Sequence, residues 1–181
     1  MKRIYIVLTY TGTIISKIVK FYTRKTYSHV SIALDKNLED MYSFGRLRPY
    51  NAFIAGFVHE RMDSGTFKRF KETKAIVFWL EVTDEQYDKI EKTIGYMKLH
   101  KEKYKFNLIG LFLVSIHIKR IKKYSFYCAE FVKYVLQNAG IGKNLPKIIK
   151  PEDFKQLEGI NIEYEGLLRC YNENKIMLEK Y

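Results

Sequence analysis

Residues 122–136 have the sequence KKYSFYCAEFVKYVL, which places a cysteine at the start of a predicted helix. Apolar residues recur at helical spacing from Phe131 onward, and Cys128 shares their stripe because it precedes Val132 by four residues. Its thiol is therefore expected at the N-terminal end of the buried face, where unpaired backbone N–H groups and the helix dipole stabilise an anion. This position suits a nucleophile, and it equally suits a buried structural thiol.

The composition indicates a single packed domain over residues 1–181, because 47% of the residues are hydrophobic and 15% are aromatic. A net charge of +12 favours an anionic partner such as an acidic substrate, a lipid head group or nucleic acid. The lysines are spread along the chain, however, and Lys, Ile, Asn and Tyr are abundant throughout, as A/T-biased coding would also produce. No aromatic-plus-basic RNA motif accompanies the charge, so nucleic acid is not the expected partner.

The cysteine content and the apolar segments predict a cytoplasmic protein. Two cysteines cannot form a disulfide framework and suit a reducing compartment, and Cys170 is expected to be a structural thiol. The first residues, MKRIYIVLTYTG, become polar too early for a secretory signal, and the apolar stretch over 106–116 is too short to span a bilayer. Closely spaced Cys/His pairs and a phosphate-binding loop are both missing from the sequence, so neither a metal nor a cofactor is expected.

Strands and helices are mixed in the predicted order without a regular βαβ alternation, which indicates an α+β fold. Strands are predicted over 3–10, 28–35, 41–46, 74–82 and 162–171, and helices over 13–23, 83–100, 127–140 and 150–157. Thr83 and Gln86 have the spacing of a capping box. Two segments are less defined: residues 47–70 are expected to be irregular or to form short strands, and 106–116 suit either a buried helix or a strand.

A nucleophilic cysteine requires a base, and His29 is the candidate among the four histidines. On its predicted strand, His29 shares one face with Ser31 and Ala33, whose small side chains leave room for a helix end. The other histidines are expected to be solvated or packed: His59, His100 and His117. A lone histidine on a strand is also typical of a packed core or surface residue, so the residues alone make His29 a candidate partner of Cys128.

The stretches YSHVSIALD and MYSFGR, followed far downstream by FYCAEFVKYVLQNAGI, resemble the circularly permuted branch of the NlpC-type, papain-like cysteine peptidase and amidase superfamily. YiiX/YebB-like proteins and lecithin:retinol acyltransferase-like enzymes belong to this branch. Its histidine strand precedes its cysteine helix, which is the reverse of the order in ordinary papain-like enzymes and is the order found here. The resemblance implies a permuted papain-like fold in which an antiparallel sheet or small barrel packs against the N-terminus of the cysteine helix.

The resemblance also implies roles for individual residues. Cys128 would be the nucleophile and His29 its base, with a third polar residue on the next strand orienting the imidazole. Ser43 is the candidate for that third residue, although many relatives carry His, Glu or another stronger acceptor there, and the sequence does not fix the strand register that decides its face. The candidate substrate-binding residues are aromatic neighbours of the same groove, each of which also suits ordinary packing: Tyr10, Tyr27 and Tyr127.

The implied activity is hydrolysis of an amide, ester or thioester bond through an acyl-enzyme, with a small-molecule, peptide or lipid-derived acyl substrate. Two alternatives stay open. In a lipid acyltransferase-like enzyme, the stretch over 106–116 and the basic HIKRIKK beside it would contact an anionic membrane surface, although that stretch also suits a core helix. In a non-catalytic binding module on the same fold, the third residue would not have to be a strong hydrogen-bond acceptor.

Overall fold

A computed structural model describes residues 1–13, 16–17, 20–21, 24–48, 50–113 and 123–172. The strands are β1 Lys2–Tyr10, β2 His29–Ala33, β3 Met41–Arg48, β4 Asn51–Glu60, β5 Lys74–Val82, β6 Lys105–Phe106, β7 Ser125–Phe126 and β8 Asn161–Leu167. Six of them form one antiparallel sheet in the order β4-β3-β2-β1-β5-β8, and β6 and β7 pair in parallel. With helices packed beside this sheet, the predicted α+β class is confirmed.

Four helices have their bounds within the described residues: α1 Gly65–Arg69, α2 Asp84–Leu99, α3 Leu108–Leu113 and α4 Cys128–Asn138. The predicted capping box at the start of α2 is confirmed, because the Thr83 side chain accepts from the Gln86 backbone N–H and the Gln86 side chain accepts from the Thr83 N–H. Helix α4 ends as predicted near Gly140, whose φ of +80° lies in the left-handed region that favours glycine. Short 3₁₀ helices cover Lys101–Lys103, Pro151–Gln156 and Leu168–Cys170.

The sheet carries a buried cluster on each face because β1 is central and its side chains alternate. Ile4, Ile6 and Leu8 join the larger cluster, which includes the buried stripe of α4. Tyr5 and Val7 point to the smaller cluster on the opposite face. The apolar face of α4 is therefore fixed against the sheet, and this contact sets where the first residue of the helix lies.

Three segments differ from their predicted structure or are only partly described. The sequence predicts an irregular segment or short strands over residues 47–70, which contain the ten-residue strand β4 and the short helix α1. The described part of 106–116 ends in α3, and its remainder lies outside the described residues. The last strand ends at Leu167, so Cys170 lies on a 3₁₀ turn.

The helix predicted over 13–23 falls partly outside the described residues, and its described residues 16–17 and 20–21 are helical. Across the described ranges, no helix is both long enough and apolar enough to cross a membrane.

Candidate active site

The two predicted catalytic residues each begin a secondary-structure element. His29 is the first residue of β2, where it pairs with Thr9 of β1 in the antiparallel register. Cys128 is the first residue of α4, which packs against β2 and β3. The preceding Tyr127 is extended, and its backbone N–H donates to the Glu130 carboxylate at 3.3 Å, so a residue three positions into the helix fixes the helix start.

His29 and Cys128 line the same open cleft, which has a volume of about 730 Å³ with its mouth included. One wall is apolar and includes Phe106, Leu108 and Leu111. The remaining lining mixes the apolar residues Phe44, Gly45, Ala55 and Phe67 with the polar residues Thr11, Thr13, Ser16, Ser28, Arg46, Glu60 and Thr66. The cleft therefore brings the thiol and the imidazole together at a surface that a small molecule can reach.

The imidazole of His29 is oriented by a carboxylate from β4. His29 Nε2 lies 3.0 Å from Glu60 Oε1 and 3.2 Å from Oε2. The Ser31 hydroxyl donates to Glu60 Oε2 at 2.5 Å and lies 3.4 Å from the same ring nitrogen. All of these contacts are made by Nε2, so Nδ1 is the ring nitrogen that remains for the thiol of Cys128.

A glycine makes room for the pair of His29 and Glu60. A methyl group placed on Gly45 of β3 would approach His29 Cε1 to 3.3 Å and Glu60 Oε1 to 3.5 Å. The strand between β2 and β4 therefore presents almost no side chain at this point. That gap lets a carboxylate at the end of β4 reach across β3 to the imidazole.

The surroundings of His29 favour its charged form. Burial alone would lower the pKa of His29, but the negative charge of Glu60 opposes it, and hydrogen bonding to Cys128 and Glu60 adds to this effect. Together these interactions raise the pKa of His29 from 6.5 to about 10. An imidazolium beside a cysteine favours the thiolate, as in other cysteine–histidine pairs.

Ser43, the predicted orienting residue, has a different partner. It lies on β3 opposite Val58, is fully buried, and donates its hydroxyl hydrogen bond to the Val30 carbonyl at 2.6 Å. The residue that contacts the imidazole is Glu60, one strand farther along the chain. The acceptor is therefore a carboxylate, one of the stronger groups that the resemblance allows.

The three tyrosines expected at the groove are not among the described residues that line the cleft. Tyr127 is buried, and its hydroxyl donates to the Ile149 carbonyl at 2.9 Å. Tyr27 donates to Glu165 at 3.0 Å, and the ring of Tyr10 lies 4.9 Å from the Lys20 ammonium. Each aromatic side chain contributes to packing or to a local polar contact.

Sequence reasoning missed two charged side chains that line the cleft beside His29, namely Glu60 and Arg46. A signal for Glu60 was present, since the segment NAFIAGFVHE over 51–60 contains β-branched and aromatic residues and leads up to it. Recognising that strand would have placed a carboxylate at its end. Arg46 is the last residue of the strand predicted over 41–46, so its position was predictable. Its place in the cleft depends on its contact with Thr13, which is distant in sequence.

The arrangement defines a cysteine–histidine–glutamate site in the cleft of an α+β protein. Comparison of the chain with protein-family models and with curated proteins finds no match in either set. Both cysteines are free thiols. In the described part of the chain, no group of three or more His, Cys, Asp or Glu side chains is arranged to hold a metal ion.

Proposed function

We propose that this protein is a permuted papain-like cysteine hydrolase that cleaves an amide, ester or thioester bond through an acyl-enzyme. The observation that carries the proposal is the meeting of Cys128 and His29 in an open cleft, with Glu60 bound to the far nitrogen of the imidazole. A nucleophile, a base and an orienting acceptor in this order are the three parts that covalent catalysis by cysteine requires.

The chemistry follows from these positions. The Cys128 thiolate attacks the substrate carbonyl carbon, and the new C–S bond places a negative charge on the carbonyl oxygen. Collapse of this intermediate breaks the bond to the leaving group, which takes a proton from the His29 imidazolium. His29 then removes a proton from water, the resulting hydroxide attacks the thioester, and the C–S bond breaks to release the acid.

The start of α4 supplies donors for the developing oxyanion. The first backbone N–H groups of a helix have no partner within the helix, and Cys128 is the first residue of α4. Its own N–H is the donor nearest to the carbon that the sulfur attacks. The Tyr127 hydroxyl is not needed in this scheme, since it is bound to a backbone carbonyl.

The apolar wall of the cleft favours a substrate whose acyl group contains a hydrocarbon chain. Phe106, Leu108 and Leu111 face the space beside the thiol, and such a surface binds the hydrocarbon part of a lipid-derived acyl chain. Transfer of that acyl group to an acceptor other than water would make the protein lipid acyltransferase-like. A reducing, cytoplasmic compartment suits either reaction because Cys128 must remain a free thiol.

Alkylation by iodoacetamide, followed residue by residue by peptide mass spectrometry, tests the proposal. Cys128 is only 4% exposed and Cys170 is more exposed, so accessibility alone predicts faster reaction at Cys170. We expect the opposite order at neutral pH, because the imidazolium of His29 favours the reactive thiolate. His29→Ala should slow alkylation at Cys128 and leave the rate at Cys170 unchanged.

An acyl donor tests the covalent step itself. Incubation with p-nitrophenyl acetate should add one acetyl group to Cys128, and Cys128→Ser should abolish the burst of nitrophenol that accompanies it. Slower alkylation at Cys128 than at Cys170, together with no acetyl group on Cys128, would contradict the enzyme hypothesis. That result would instead support a non-catalytic binding module on the same fold.

A further inference from the structure

Arg46 is a half-buried cation on the wall of the candidate active site. It follows Gly45 on β3 and lines the cleft together with His29 and Cys128. Its Nη2 donates to the Thr13 hydroxyl at 2.6 Å. This contact holds the guanidinium in the cleft, where its Cζ also lies 5.8 Å from the centre of the Phe70 ring. Among the described residues, it occupies one of the five N–H donors.

Arg46 has no carboxylate partner among the described residues. Glu60 lines the same cleft, but its two oxygens bind His29 and Ser31. Burial, and then the positive charge of Arg69, lower the pKa of Arg46, so its charged form lacks the compensation of a nearby anion. Three arginines elsewhere each contact a carboxylate at the surface: Arg3 with Glu81, Arg61 with Asp63 and Arg169 with Glu72.

Hydroxyl groups surround the guanidinium on its loop side. Thr11 Oγ1 lies 3.3 Å from Thr13 Oγ1, and the Thr13 hydroxyl is 3.3 Å from that of Ser16. The Ser16 hydroxyl also donates to the Thr13 carbonyl at 2.8 Å, which holds this loop in place. The Thr13 hydroxyl accepts from Arg46 and from the Ser16 backbone N–H and donates to Ser16, so it serves to position the guanidinium. The other N–H groups of Arg46 and the Thr11 hydroxyl are the donors that a carboxylate or a phosphate would accept.

We propose that Arg46 and the Thr11 hydroxyl bind a negatively charged group of the substrate, a carboxylate or a phosphate, while the carbonyl lies at Cys128. The inference rests on the proposed function and narrows its substrate class to anionic acyl compounds. The anion would supply the charge that the half-buried guanidinium lacks. A neutral substrate of the same shape would leave Arg46 uncompensated and would be held less well at the thiol.

Two alkylating agents of nearly equal shape test this inference. Iodoacetate carries a carboxylate and iodoacetamide carries a neutral amide, and both transfer their methylene carbon to a thiolate while iodide leaves. The measurement is the ratio of the iodoacetate rate constant to the iodoacetamide rate constant at Cys128, taken at constant ionic strength. Because the ratio compares two reagents at one thiol, changes in thiol reactivity cancel.

Arg46→Met should lower this ratio at Cys128 roughly three- to thirty-fold, the range expected for one partly screened charge at short distance. Arg46→Lys should retain part of the wild-type ratio because it keeps the charge and loses the fork of donors. Arg48→Met is the matched control: Arg48 lies two residues farther along the same strand, is exposed, and is absent from the described cleft lining. It should leave the ratio at its wild-type value.

Protection of Cys128 by small anions, compared in the wild type and in Arg46→Met, identifies the kind of anion that binds. Acetate and inorganic phosphate are compared, with sodium chloride used to equalise ionic strength, for their ability to slow iodoacetamide at Cys128. Protection by either one that is lost in Arg46→Met supports the inference, and the stronger protector shows whether a carboxylate or a phosphate is preferred.

The two proposals fail in different ways. Rapid alkylation of Cys128 by iodoacetamide, with the same reagent ratio in wild type and Arg46→Met and no anion protection, would overturn the anionic-substrate inference and leave the hydrolase proposal standing. Alkylation of Cys128 that is slower than that of Cys170, together with no acetyl group on Cys128 after p-nitrophenyl acetate, would overturn both.

Discussion

Replacing Glu60 with glutamine should separate the charge of the orienting residue from its shape. Glutamine has nearly the same size and can still accept a hydrogen bond from His29 Nε2. It removes the negative charge that counteracts the lowering of the His29 pKa by burial. We expect the pKa of His29 to fall well below about 10, because burial then acts with less opposition while the contribution of Cys128 remains.

The size of the effect can be bounded from the site. The rise in the pKa of His29 from 6.5 to about 10 corresponds to at most roughly 5 kcal/mol of folding free energy, since each pKa unit equals about 1.4 kcal/mol. Cys128 contributes part of this rise in the pKa of His29. The His29 side chain is 21% exposed, so solvent also screens part of its interaction with Glu60. The Glu60→Gln change should therefore cost about 2–4 kcal/mol of folding stability near neutral pH.

The pH dependence of this stability has a definite sign. The pKa of His29 is higher in the folded protein than in the unfolded chain, so protonation favours folding. The contribution is complete below pH 6.5 and is lost as the pH rises through about 10. The free energy of unfolding of the wild type, relative to Glu60→Gln, should decrease across that window.

Histidine Cε1–H chemical shifts measured by NMR between about pH 5 and pH 10.5 give the pKa directly, with His29→Gln used for assignment. Urea unfolding over the same range gives the stability difference. Glu81→Gln is the control, because it removes a carboxylate from an exposed ion pair with Arg3 and should change neither measurement for His29. A wild-type His29 that titrates near 6.5, unchanged by Glu60→Gln, would refute the reasoning.

Two further predictions concern the space and the packing around the site. Gly45→Ala should displace the His29 ring by a few tenths of an ångström and slow alkylation of Cys128, whereas Gly56→Ala, at the paired position on β4, meets only ordinary contacts with a leucine side chain and should not. Equal effects of the two changes would argue against a steric role for Gly45. Tyr127→Phe should lower the free energy of unfolding by about 1–3 kcal/mol, because it leaves the buried Ile149 carbonyl without its donor, and an unchanged urea midpoint would contradict this.

The parts of the site that local patterns determine could be predicted from the sequence. Helical spacing placed Cys128 at the first residue of a helix, and strand alternation placed His29 beside Ser31 on one face. The capping box of α2 is equally local, since its two partners lie three residues apart. In each case a few neighbouring residues contain the whole signal.

The third residue could not be predicted in the same way, because its position depends on three strands at once. Whether Ser43 or Glu60 reaches the imidazole is decided by the registers of β2 with β3 and of β3 with β4. It depends also on Gly45, which leaves the gap that a long carboxylate side chain crosses. The directions of the tyrosine hydroxyls are tertiary properties as well: Tyr127 reaches a carbonyl 22 residues farther along the chain.

The charges in the cleft explain why a carboxylate is a better orienting group here than a serine. A serine at this place would accept or donate a hydrogen bond but would leave a partly buried imidazolium without a counter-charge, and its burial would favour the neutral ring. Glu60 favours the protonated form of His29, and an imidazolium beside a cysteine favours the thiolate in general. Arg46 is a second cation in the same cleft and has no carboxylate partner among the described residues, and this difference from His29 supports our proposal of a negative charge on the substrate.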